Sequence, residues 1–580
     1  MTSIAGNPNS EGPRGSKSLA SRGPEEALRC LIVQPQFSQH NYWNYTTVAE
    51  ALGAKTPAAP LGLLTVAALL PQHWTFELVD LNVCELTDEQ WDAADLVCVG
   101  GMLPQQAGIL EIIQRANDSD KFLAVGGPDP TSQPEVYQHA DAQIIGEGEN
   151  VIPLWLESWR AGQPAGLFEH ADRPDVTTAP IPRFDLIDFK DYVHIGVQYS
   201  RGCPFNCEFC DIIELYGRVP RSKTSEQFLA EINRLYELGY RGWVDIVDDN
   251  FVGNKRVVKP MLRDLKAWLQ ERKHPFFFST EATMNLADDE EMLKLMSDVE
   301  FRYVFMGIET PDPELLALTQ KRVNAMTPIV DRVNKVYDHG IAITAGFILG
   351  FDNEKTGNGR MLASCIEETG IVLAMVGLLV ALPNTQLARR LQNEKRLLTP
   401  EAELAEGDEP YRLVTAGTNA EGTDQSMGLN FITTRDRVEI YEEYRGVIDT
   451  VYNANAYLDR VLSTAQRLKP RPHYRTGPRE TLRDLKGLAR LAWWMTRNRE
   501  TRLRYWRNSF KTAFMGRGRF KYAQAAMMMY MHFARQSQHV LLQLDASIHF
   551  AKHEANYPRK LEAENSKIEL PIAEPVESAS

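Results

Sequence analysis

Three cysteines stand close together in the segment from Ser200 to Asp211, which reads SRGCPFNCEFCD. Cys203, Cys207 and Cys210 have C-x3-C-x2-C spacing and follow a stretch that predicts a buried strand. Three clustered thiolates favour a metal or iron–sulfur centre over a disulfide. A cubane cluster on three thiolates keeps one iron open, because a closed cluster takes four cysteines. An open iron can bind the amino and carboxylate groups of a substrate and deliver an electron to it.

A zinc knuckle is the main alternative for these cysteines. Structural zinc takes four Cys or His ligands, whereas the next cysteine and histidine after the motif are Cys365 and His274. Cys365 falls in a helical pattern and is predicted to be core. The remaining cysteines lie in or beside N-terminal strands and read as small buried hydrophobes: Cys30, Cys84 and Cys98. The spacing therefore favours the open cluster.

Short apolar runs that alternate with helical patterns surround the motif. The second series predicts six strands, at 195–200, 243–247, 276–280, 303–308, 341–349 and 375–382. Such βα units predict a partial (β/α)6 barrel with its function at the carboxyl ends of the strands. The first series predicts strands at 31–33, 76–80, 95–99, 122–125 and 143–145. These indicate an α/β, doubly wound, Rossmann-like sheet. Several end in glycine, which admits a bulky ligand or merely serves a tight turn.

Composition bounds the remaining possibilities. The chain has 580 residues, a net charge of −14 and seven cysteines, which excludes a disulfide scaffold and disfavours a surface coated with nucleic acid. No uninterrupted apolar run of about 18 residues appears, so no transmembrane helix is predicted. No secretory signal appears either, and the expected compartment is the cytoplasm. The predicted division is a disordered leader at 1–27, a doubly wound domain at 28–161, a linker at 162–190, a barrel at 191–398, a helical domain at 399–552 and a disordered tail at 553–580.

The cysteine motif and the barrel after it resemble the radical S-adenosylmethionine (SAM) enzymes. The resemblance implies a [4Fe–4S] cluster on Cys203, Cys207 and Cys210, with SAM chelated to the open iron. Reductive cleavage of SAM would give a 5′-deoxyadenosyl radical that abstracts hydrogen from an unactivated C–H bond. It also implies an electron donor, such as a reductase, a ferredoxin or a flavodoxin.

Further positions match the family's SAM contacts one by one. The matching residues are Asp248 and Asp249 after the second strand, Glu309 after the fourth, and Gly346 and Gly350 in the fifth-strand segment GFILG. The three carboxylates have an alternative role as capping or ion-paired groups. A glutamate often closes the fifth-strand motif, but Asn353 stands at that position and Glu354 follows it.

The N-terminal sheet, placed before such a barrel, resembles the cobalamin-binding domain of the B12-dependent radical SAM subgroup. The residues implied to contact cobalamin are Gly101, Gly126, Gly127 and Gly146. The D-x-H-x-x-G loop of histidine-ligating domains is absent after the first strand. His40 is a lone histidine in that loop and is not predicted to be an axial ligand. The sequence leaves open whether cobalamin binds without a histidine or not at all.

The segments Asp211–Arg221, Val247–Asn250 and Ala381–Leu387 resemble the branch that contains the hopanoid C-2 methylases. This implies a cobalamin-dependent methyltransferase acting on an unactivated carbon of a lipid. Three alternatives stay open. One is C–C bond formation, cyclisation or rearrangement of a lipid without methyl transfer. A second is methylthiolation of RNA or protein, for which a second cluster's cysteines are missing. The third is a non-catalytic cobalamin- or lipid-binding protein.

A basic, aromatic stretch near the C-terminus gives separate support for a lipid partner. Its basic residues are Lys486, Arg490, Arg497, Arg499, Arg502, Arg504, Arg507, Lys511, Arg517 and Arg519. Interleaved with them are Trp493, Trp494, Tyr505, Trp506, Phe510 and Phe514. The pattern predicts a peripheral contact with an anionic membrane on its inner face. An equal alternative is a solvated basic face over an aromatic core. Nucleic acid is disfavoured, because no recognised RNA module accompanies the stretch.

Overall fold

Two parallel sheets and a set of C-terminal helices form the part of the chain that the computed structural model describes. The described residues are 19, 21–38, 40–319, 321, 328–398 and 428–553. The predicted α/β class, with a doubly wound sheet, a partial barrel and a helical C-terminal region, is confirmed. The predicted disordered tail, most of the predicted leader and the polar segment after the barrel lie outside the described residues.

The first sheet has six strands in the order β3-β1-β4-β5-β6-β7, all paired in parallel. Its strands are β1 Arg29–Gln34, β3 Thr75–Asp80, β4 Leu96–Gly100, β5 Leu123–Gly126, β6 Ala142–Ile145 and β7 Gly166–Glu169; β2 belongs to the other sheet. The central strands are apolar and buried, as parallel strands covered on both faces must be. The order reverses between β1 and β4, where doubly wound sheets bind ligands. β7 lies inside the stretch predicted as a linker, so that linker is shorter than expected.

The second sheet has seven strands in the order β15-β14-β13-β12-β11-β8-β2. They are β2 Thr56–Ala58, β8 Tyr192–Val197, β11 Gly242–Ile246, β12 Phe276–Glu281, β13 Phe301–Glu309, β14 Ala342–Leu349 and β15 Leu373–Leu378. A small antiparallel pair, β9 Ser200–Arg201 and β10 Arg221–Ser222, lies beside it. The six predicted strands are present.

The edge strand β2 was not predicted. It pairs with β8 through Thr56 and Tyr192, so the chain leaves the first sheet after β1, adds a strand to the barrel and returns. A three-residue strand that contains Pro57 has too little periodicity to stand out in the sequence. The chain therefore passes between the two sheets more than once.

Helices cover both sheets. They are α1 Thr46–Leu52, α2 Leu61–Leu69, α3 Asp88–Ala93, α4 Gln106–Asp118, α5 Pro128–Ser132, α6 Gly148–Arg160, α7 Ile212–Leu215, α8 Ser225–Glu237, α9 Lys255–Glu271, α10 Glu290–Asp298, α11 Pro313–Leu318, α12 Ile329–Asp338, α13 Asn358–Thr369, α14 Gln386–Asn393, α15 Arg437–Val451, α16 Ala454–Arg467, α17 Pro478–Arg497, α18 Arg502–Phe514 and α19 Arg517–His553. The C-terminal helices dock on the barrel: Tyr444 of α15 donates from its hydroxyl to the Val376 carbonyl at 2.8 Å. None of the helices described combines the length and the apolar character needed to cross a bilayer.

Candidate active site

The cysteine motif lies on the loop between β9 and β10, beyond the carboxyl end of β8. The N–H of Cys203 donates to the Gly217 carbonyl at 3.1 Å, which ties the two sides of the loop together. Gly202 has a φ of +92°, and a Cβ there would lie 2.8 Å from the Gly217 oxygen and 3.0 Å from the Tyr216 oxygen. Only glycine therefore fits at the position before the first cysteine.

The three thiols are free and at least partly buried. Burial raises the pKa of each, that of Cys207 to about 11, and the nearby ammonium of Lys321 acts in the opposite direction. Within the described ranges, no three His, Cys, Asp or Glu side chains converge on a single ion. A cubane cluster needs no such convergence, because it takes one thiolate per iron. The donor set fits a cluster held by three thiolates.

Asp248 fixes the turn that leads into this loop. It is buried, and its carboxylate accepts hydrogen bonds from the N–H of Tyr199 at 2.7 Å and from the N–H and hydroxyl of Ser200 at 2.9 and 2.6 Å. Burial outweighs these bonds and raises its pKa to about 6. The predicted contact between Asp248 and SAM stays a prediction, and the observed role of the side chain is to position the turn.

Asp249 has a different environment from its neighbour. Its carboxylate accepts a hydrogen bond from the Gly202 N–H at 2.7 Å and also lines the large cavity described below. Burial raises its pKa to about 7, and the like charge of Asp248 adds to the shift. Of the two aspartates predicted to contact SAM, Asp249 is the one that reaches open space.

Glu309, at the end of β13, forms a buried ion pair with Lys321. Glu309 has a φ of +65°, and a Cβ on Gly307 would lie 2.6 Å from the Lys321 Nζ. The pair therefore occupies the space that a side chain at Gly307 would need. Lys321 was missed in the sequence, because nothing in its spacing connects a lone lysine with a strand end. The predicted ribose contact of Glu309 stays untested.

The two predicted fifth-strand glycines pack against protein and do not line the cavity. A Cβ on Gly346 would lie 3.1 Å from the Phe305 ring, and one on Gly350, where φ is +93°, would lie 2.7 Å from Leu429. Glu354 accepts a hydrogen bond from the Gly350 N–H at 2.8 Å. The glutamate that stands one residue late therefore still closes the glycine turn.

A cavity of about 1660 Å³ joins the carboxyl edge of the first sheet to the interior of the barrel. The glycines predicted to meet cobalamin all line it: Gly101, Gly126, Gly127 and Gly146. A Cβ on Gly127 would lie 2.9 Å from the Gly101 nitrogen, whereas one on Gly146 would lie no closer than 3.9 Å to Val151. Gly127 is thus required by close packing of the loops, while Gly146 borders open space. His40 does not line the cavity; its ring stacks on that of His539, with 3.8 Å between the ring centroids.

An ion-pair network, which we call the lock, joins the first sheet to the cysteine loop. Arg201, at the end of β9, pairs with Glu147 and Glu149 at 2.7 Å each, and Arg221 of β10 pairs with Glu147 at 2.7 Å. Burial would raise the pKa of Glu149, but the hydrogen bonds and charge of Arg201 outweigh it and lower that pKa. In the sequence the resemblance named only Gly146 of this segment; the glutamates at 147 and 149 join the first sheet to the cysteine loop.

Aromatic side chains dominate the wall of the cavity inside the barrel. They include Trp43, Trp243, Phe277, Tyr303 and Phe305. Glu281, at the end of β12, is open to the same cavity. Its enclosure by the surrounding protein, together with the charges of Asp245, Asp249 and Asp248, raises its pKa to about 8. An apolar chamber with protonated or ion-paired carboxylates at its rim suits a largely apolar ligand.

Comparison with known proteins agrees with this arrangement. Residues 197–358 match the Radical SAM superfamily, and residues 385–546 match a domain of unknown function, DUF4070. An uncharacterized methyltransferase of Synechocystis sp. is 43% identical over 83% of this chain and 87% of its own. The hopanoid C-2 methylase of Rhodopseudomonas palustris is 38% identical over 64% of this chain and 72% of its own.

Solved structures share the fold at low sequence identity. The cobalamin-dependent radical SAM enzyme OxsB, with aqua-cobalamin bound, superposes with a TM-score of 0.54 at 15% identity and covers 92% of this chain and 82% of its own. The methyltransferase TsrM of Kitasatospora setae gives a TM-score of 0.51 at 15% identity over 66% of this chain and 82% of its own.

The chain therefore belongs to the radical SAM superfamily, in the family of methyltransferases that includes the Synechocystis protein and the hopanoid C-2 methylase. The predicted family, and the predicted activity of methyl transfer to an unactivated carbon by a radical SAM enzyme, are confirmed. Membership brings a [4Fe–4S] cluster and SAM as cofactors.

The close packing around Gly202 gives a first prediction. Gly202→Ala should lower the iron and sulfide bound after anaerobic reconstitution at least fivefold, because the added Cβ pushes apart the carbonyls that close the cysteine loop. Gly239→Ala is the matched control: φ there is +86°, but nothing lies within 4 Å of the added atom. Equal iron content in the two variants would contradict the steric account.

The carboxyl of Glu281 gives a second prediction. Because its folded pKa is about 8, the folded state binds this proton more tightly than the unfolded chain does, and the resulting stability is lost as pH rises toward 8. The free energy of unfolding of Glu281→Gln, measured with urea, should therefore exceed that of the wild type by an amount that grows from pH 5 to pH 8. Glu271→Gln, at an exposed site, should show no such trend. If the difference in free energy of unfolding between the variant and the wild type does not change with pH, Glu281 is charged in the folded protein.

Proposed function

We propose that this methyltransferase uses cobalamin and acts on an unactivated carbon of a hopanoid-like polycyclic lipid. The observation that carries the proposal is the continuous cavity, which extends from the cofactor-side edge of both sheets into an aromatic-lined barrel. A rigid hydrocarbon skeleton gains most from such walls, because each buried CH₂ contributes about 0.8 kcal/mol. The name of the 38% identical relative, hopanoid C-2 methylase, supports the same class of substrate.

Cobalamin is supported by the shape of the first sheet and its edge. The strand order places the switch point between β1 and β4 next to the cavity, and the lining glycines at 100, 101, 126, 127 and 146 allow a large ligand to approach the backbone. Among the described lining residues, the histidines are His194 and His339, and both belong to the barrel. We therefore propose that cobalamin binds without a histidine ligand.

The protein's own contribution is positioning and the exclusion of water. When bound, the cluster with SAM supplies the hydrogen-abstracting radical and cobalamin supplies the methyl group. Cys203, Cys207 and Cys210 hold the cluster, and Asp248 and Gly202 fix their loop. Asp249, which lines the cavity, is proposed to contact SAM, and Glu309, Gly346 and Gly350 are proposed to shape β13 and β14 beside it.

The test combines product mass with SAM cleavage. Reconstituted wild-type protein, given reductant, SAM, cobalamin and hopanoid-bearing vesicles, should form 5′-deoxyadenosine and a lipid heavier by one CH₂ unit. Cys203→Ala should lose both products at least a hundredfold, since the cluster loses one of its three ligands. Cys365→Ala, which changes a buried cysteine of α13, should keep them.

Three other outcomes would each contradict part of the proposal. A lipid product with an unchanged number of carbons would favour rearrangement over methylation. Protein that binds no cobalamin at equimolar supply would remove that cofactor. Turnover of SAM with no change in any hopanoid would remove the substrate class.

We also propose that α17 and α18 dock on an anionic membrane. Each helix presents exposed apolar side chains at spacings of three, four and four residues, which places them on one face. The stripes are Leu482, Leu485, Ala489 and Trp493 on α17, and Leu503, Trp506, Phe510 and Phe514 on α18. Trp493 is 63% exposed and Phe514 is 78% exposed, which a protein surface facing only water rarely maintains in such number.

Basic side chains accompany each stripe. On α17, Lys486 and Arg490 each come one residue after a member of the stripe. On α18, Arg507 and Lys511 do the same. A basic face therefore lies beside each apolar face. The alternative of an aromatic core applies only in part, because Tyr505 is buried but the four stripe aromatics are exposed. An apolar face beside a cationic one is complementary to an anionic bilayer.

Vesicle flotation tests this docking surface. The double variant Phe510→Asp, Phe514→Asp should bind vesicles of phosphatidylglycerol at least tenfold more weakly than wild type, because two exposed aromatic rings lose their apolar contact. Leu542→Asp changes a residue of α19 that is 70% exposed and lies outside both stripes, and should bind as wild type does. Equal binding of all three proteins would contradict the assignment.

A further inference from the structure

We propose that the lipid substrate enters the barrel through its amino-terminal end, on the side opposite the cysteine loop, and reaches the carboxyl edge with its apolar end first. This inference rests on the proposed lipid substrate and on the docking surface. It concerns the route and the orientation of the substrate, which neither of those proposals specifies.

The cavity extends along the whole length of the barrel. Asp249 and Glu281, which follow or end strands β11 and β12, line it at the carboxyl edge. Gly242, the first residue of β11, lines the same cavity at the other edge, as do Arg302 near the start of β13 and Gly340 before β14. Because the strands are parallel, residues that begin them and residues that end them lie at opposite ends of the barrel. The barrel is therefore open through its interior.

The amino-terminal end of this passage opens to solvent. It is bordered by the segment before α17 and by the first turns of α17 and α19. Arg471, Arg475, Arg483, Leu485 and Arg517 line the cavity there and are exposed. Leu485 is 57% exposed, so an apolar side chain stands at the rim. We call this opening the portal.

The portal is continuous with the proposed docking surface. Leu485 is both a member of the α17 stripe and a lining residue of the cavity. Trp493, the last member of that stripe, lies eight residues further along the helix, or about 12 Å at 1.5 Å per residue. A lipid that leaves a bilayer in contact with α17 therefore meets apolar side chains along that helix as far as Leu485 at the portal.

The charges at the portal set the orientation of the substrate. Arg302, Arg483 and Lys521 line the passage at this end, with Asp484 beside Lys521 at 4.0 Å. Deeper in, the walls are aromatic, and the Arg302 guanidinium lies 3.9 Å over the Phe277 ring at the boundary. An amphipathic lipid gains most when its polar end stays among these cations and its hydrocarbon skeleton fills the barrel. The carbon nearest the cysteine loop is then one distant from the polar end.

The opposite edge offers a poorer entrance. The lock joins the first sheet to the cysteine loop there, and a substrate arriving on that side would have to pass the space proposed for SAM and cobalamin. Entry through the portal lets the lipid, SAM and cobalamin occupy the cavity together, because the lipid does not have to pass the two cofactors.

Blocking the portal with a bulky thiol label tests the route. In reconstituted holoenzyme the cluster protects its cysteines, and Cys84 is the exposed one of the remaining four, so the background is Cys84→Ser. Arg475→Cys, at the portal and outside both stripes, and the control Leu542→Cys are each modified with a polyethylene-glycol maleimide. Two quantities are then measured: the uptake of radiolabelled hopanoid from phosphatidylglycerol vesicles, and the amount of methylated product.

Label at position 475 should lower both quantities at least tenfold, while flotation with vesicles and 5′-deoxyadenosine formation without substrate stay within twofold of the unlabelled variant. Label at position 542 should change none of them. Undiminished uptake and methylation with position 475 labelled would overturn the portal and leave the proposed function standing. If unlabelled wild-type protein takes up no hopanoid, the substrate class fails and the portal fails with it.

Discussion

The rest of the structure depends on how firmly a short loop of three cysteines is held between two sheets. Asp248 fixes the turn before the loop with a buried carboxylate, Gly202 removes the one side chain that would force the loop open, and Arg201 connects it to the first sheet through Glu147 and Glu149. An iron–sulfur cluster on thiolates from such a loop has a fixed position relative to the cavity. Radical chemistry demands this, because a displacement of about 1 Å in a reacting geometry can cost a hundredfold in rate.

Several of the charged groups around this loop form ion pairs. Glu309 with Lys321 and the glutamates of the lock with Arg201 and Arg221 place buried charges next to opposite charges. Such pairs add little net stability, but removing one partner is costly because it leaves a buried charge without compensation. The pairs of the lock fix the relative position of the barrel and the first sheet, so that the cavity between them keeps one shape.

The sequence predicted the parts of this molecule that depend on local pattern. The cysteine spacing and the strands with continuous apolar runs could be read directly, because each signal lies within a few residues. The edge strand Thr56–Ala58 and the buried Lys321 could not, because their partners are distant in the chain: β8 for the strand and Glu309 for the lysine.

The predicted site residues divide in the same way. Resemblance located Asp248, Glu309 and Gly350 at strand ends, which is where they lie, and Gly346 within the fifth strand. Only the packing around them reveals that Asp248 bonds the β8–β9 turn and that the two glycines press against Phe305 and Leu429. The apolar stripes on α17 and α18 were present in the sequence as periodic residues, yet their exposure depends on which helix face the barrel covers.

The central claim is that three thiolates hold a cluster with one iron open to SAM. Electron paramagnetic resonance of the anaerobically reconstituted, reduced protein tests it most directly, as SAM is added in steps. We expect a [4Fe–4S]⁺ signal whose g-values shift when SAM is added. The Cys203→Ala protein should lack this signal. Bound zinc in place of iron, or a cluster signal that SAM leaves unchanged, would contradict it.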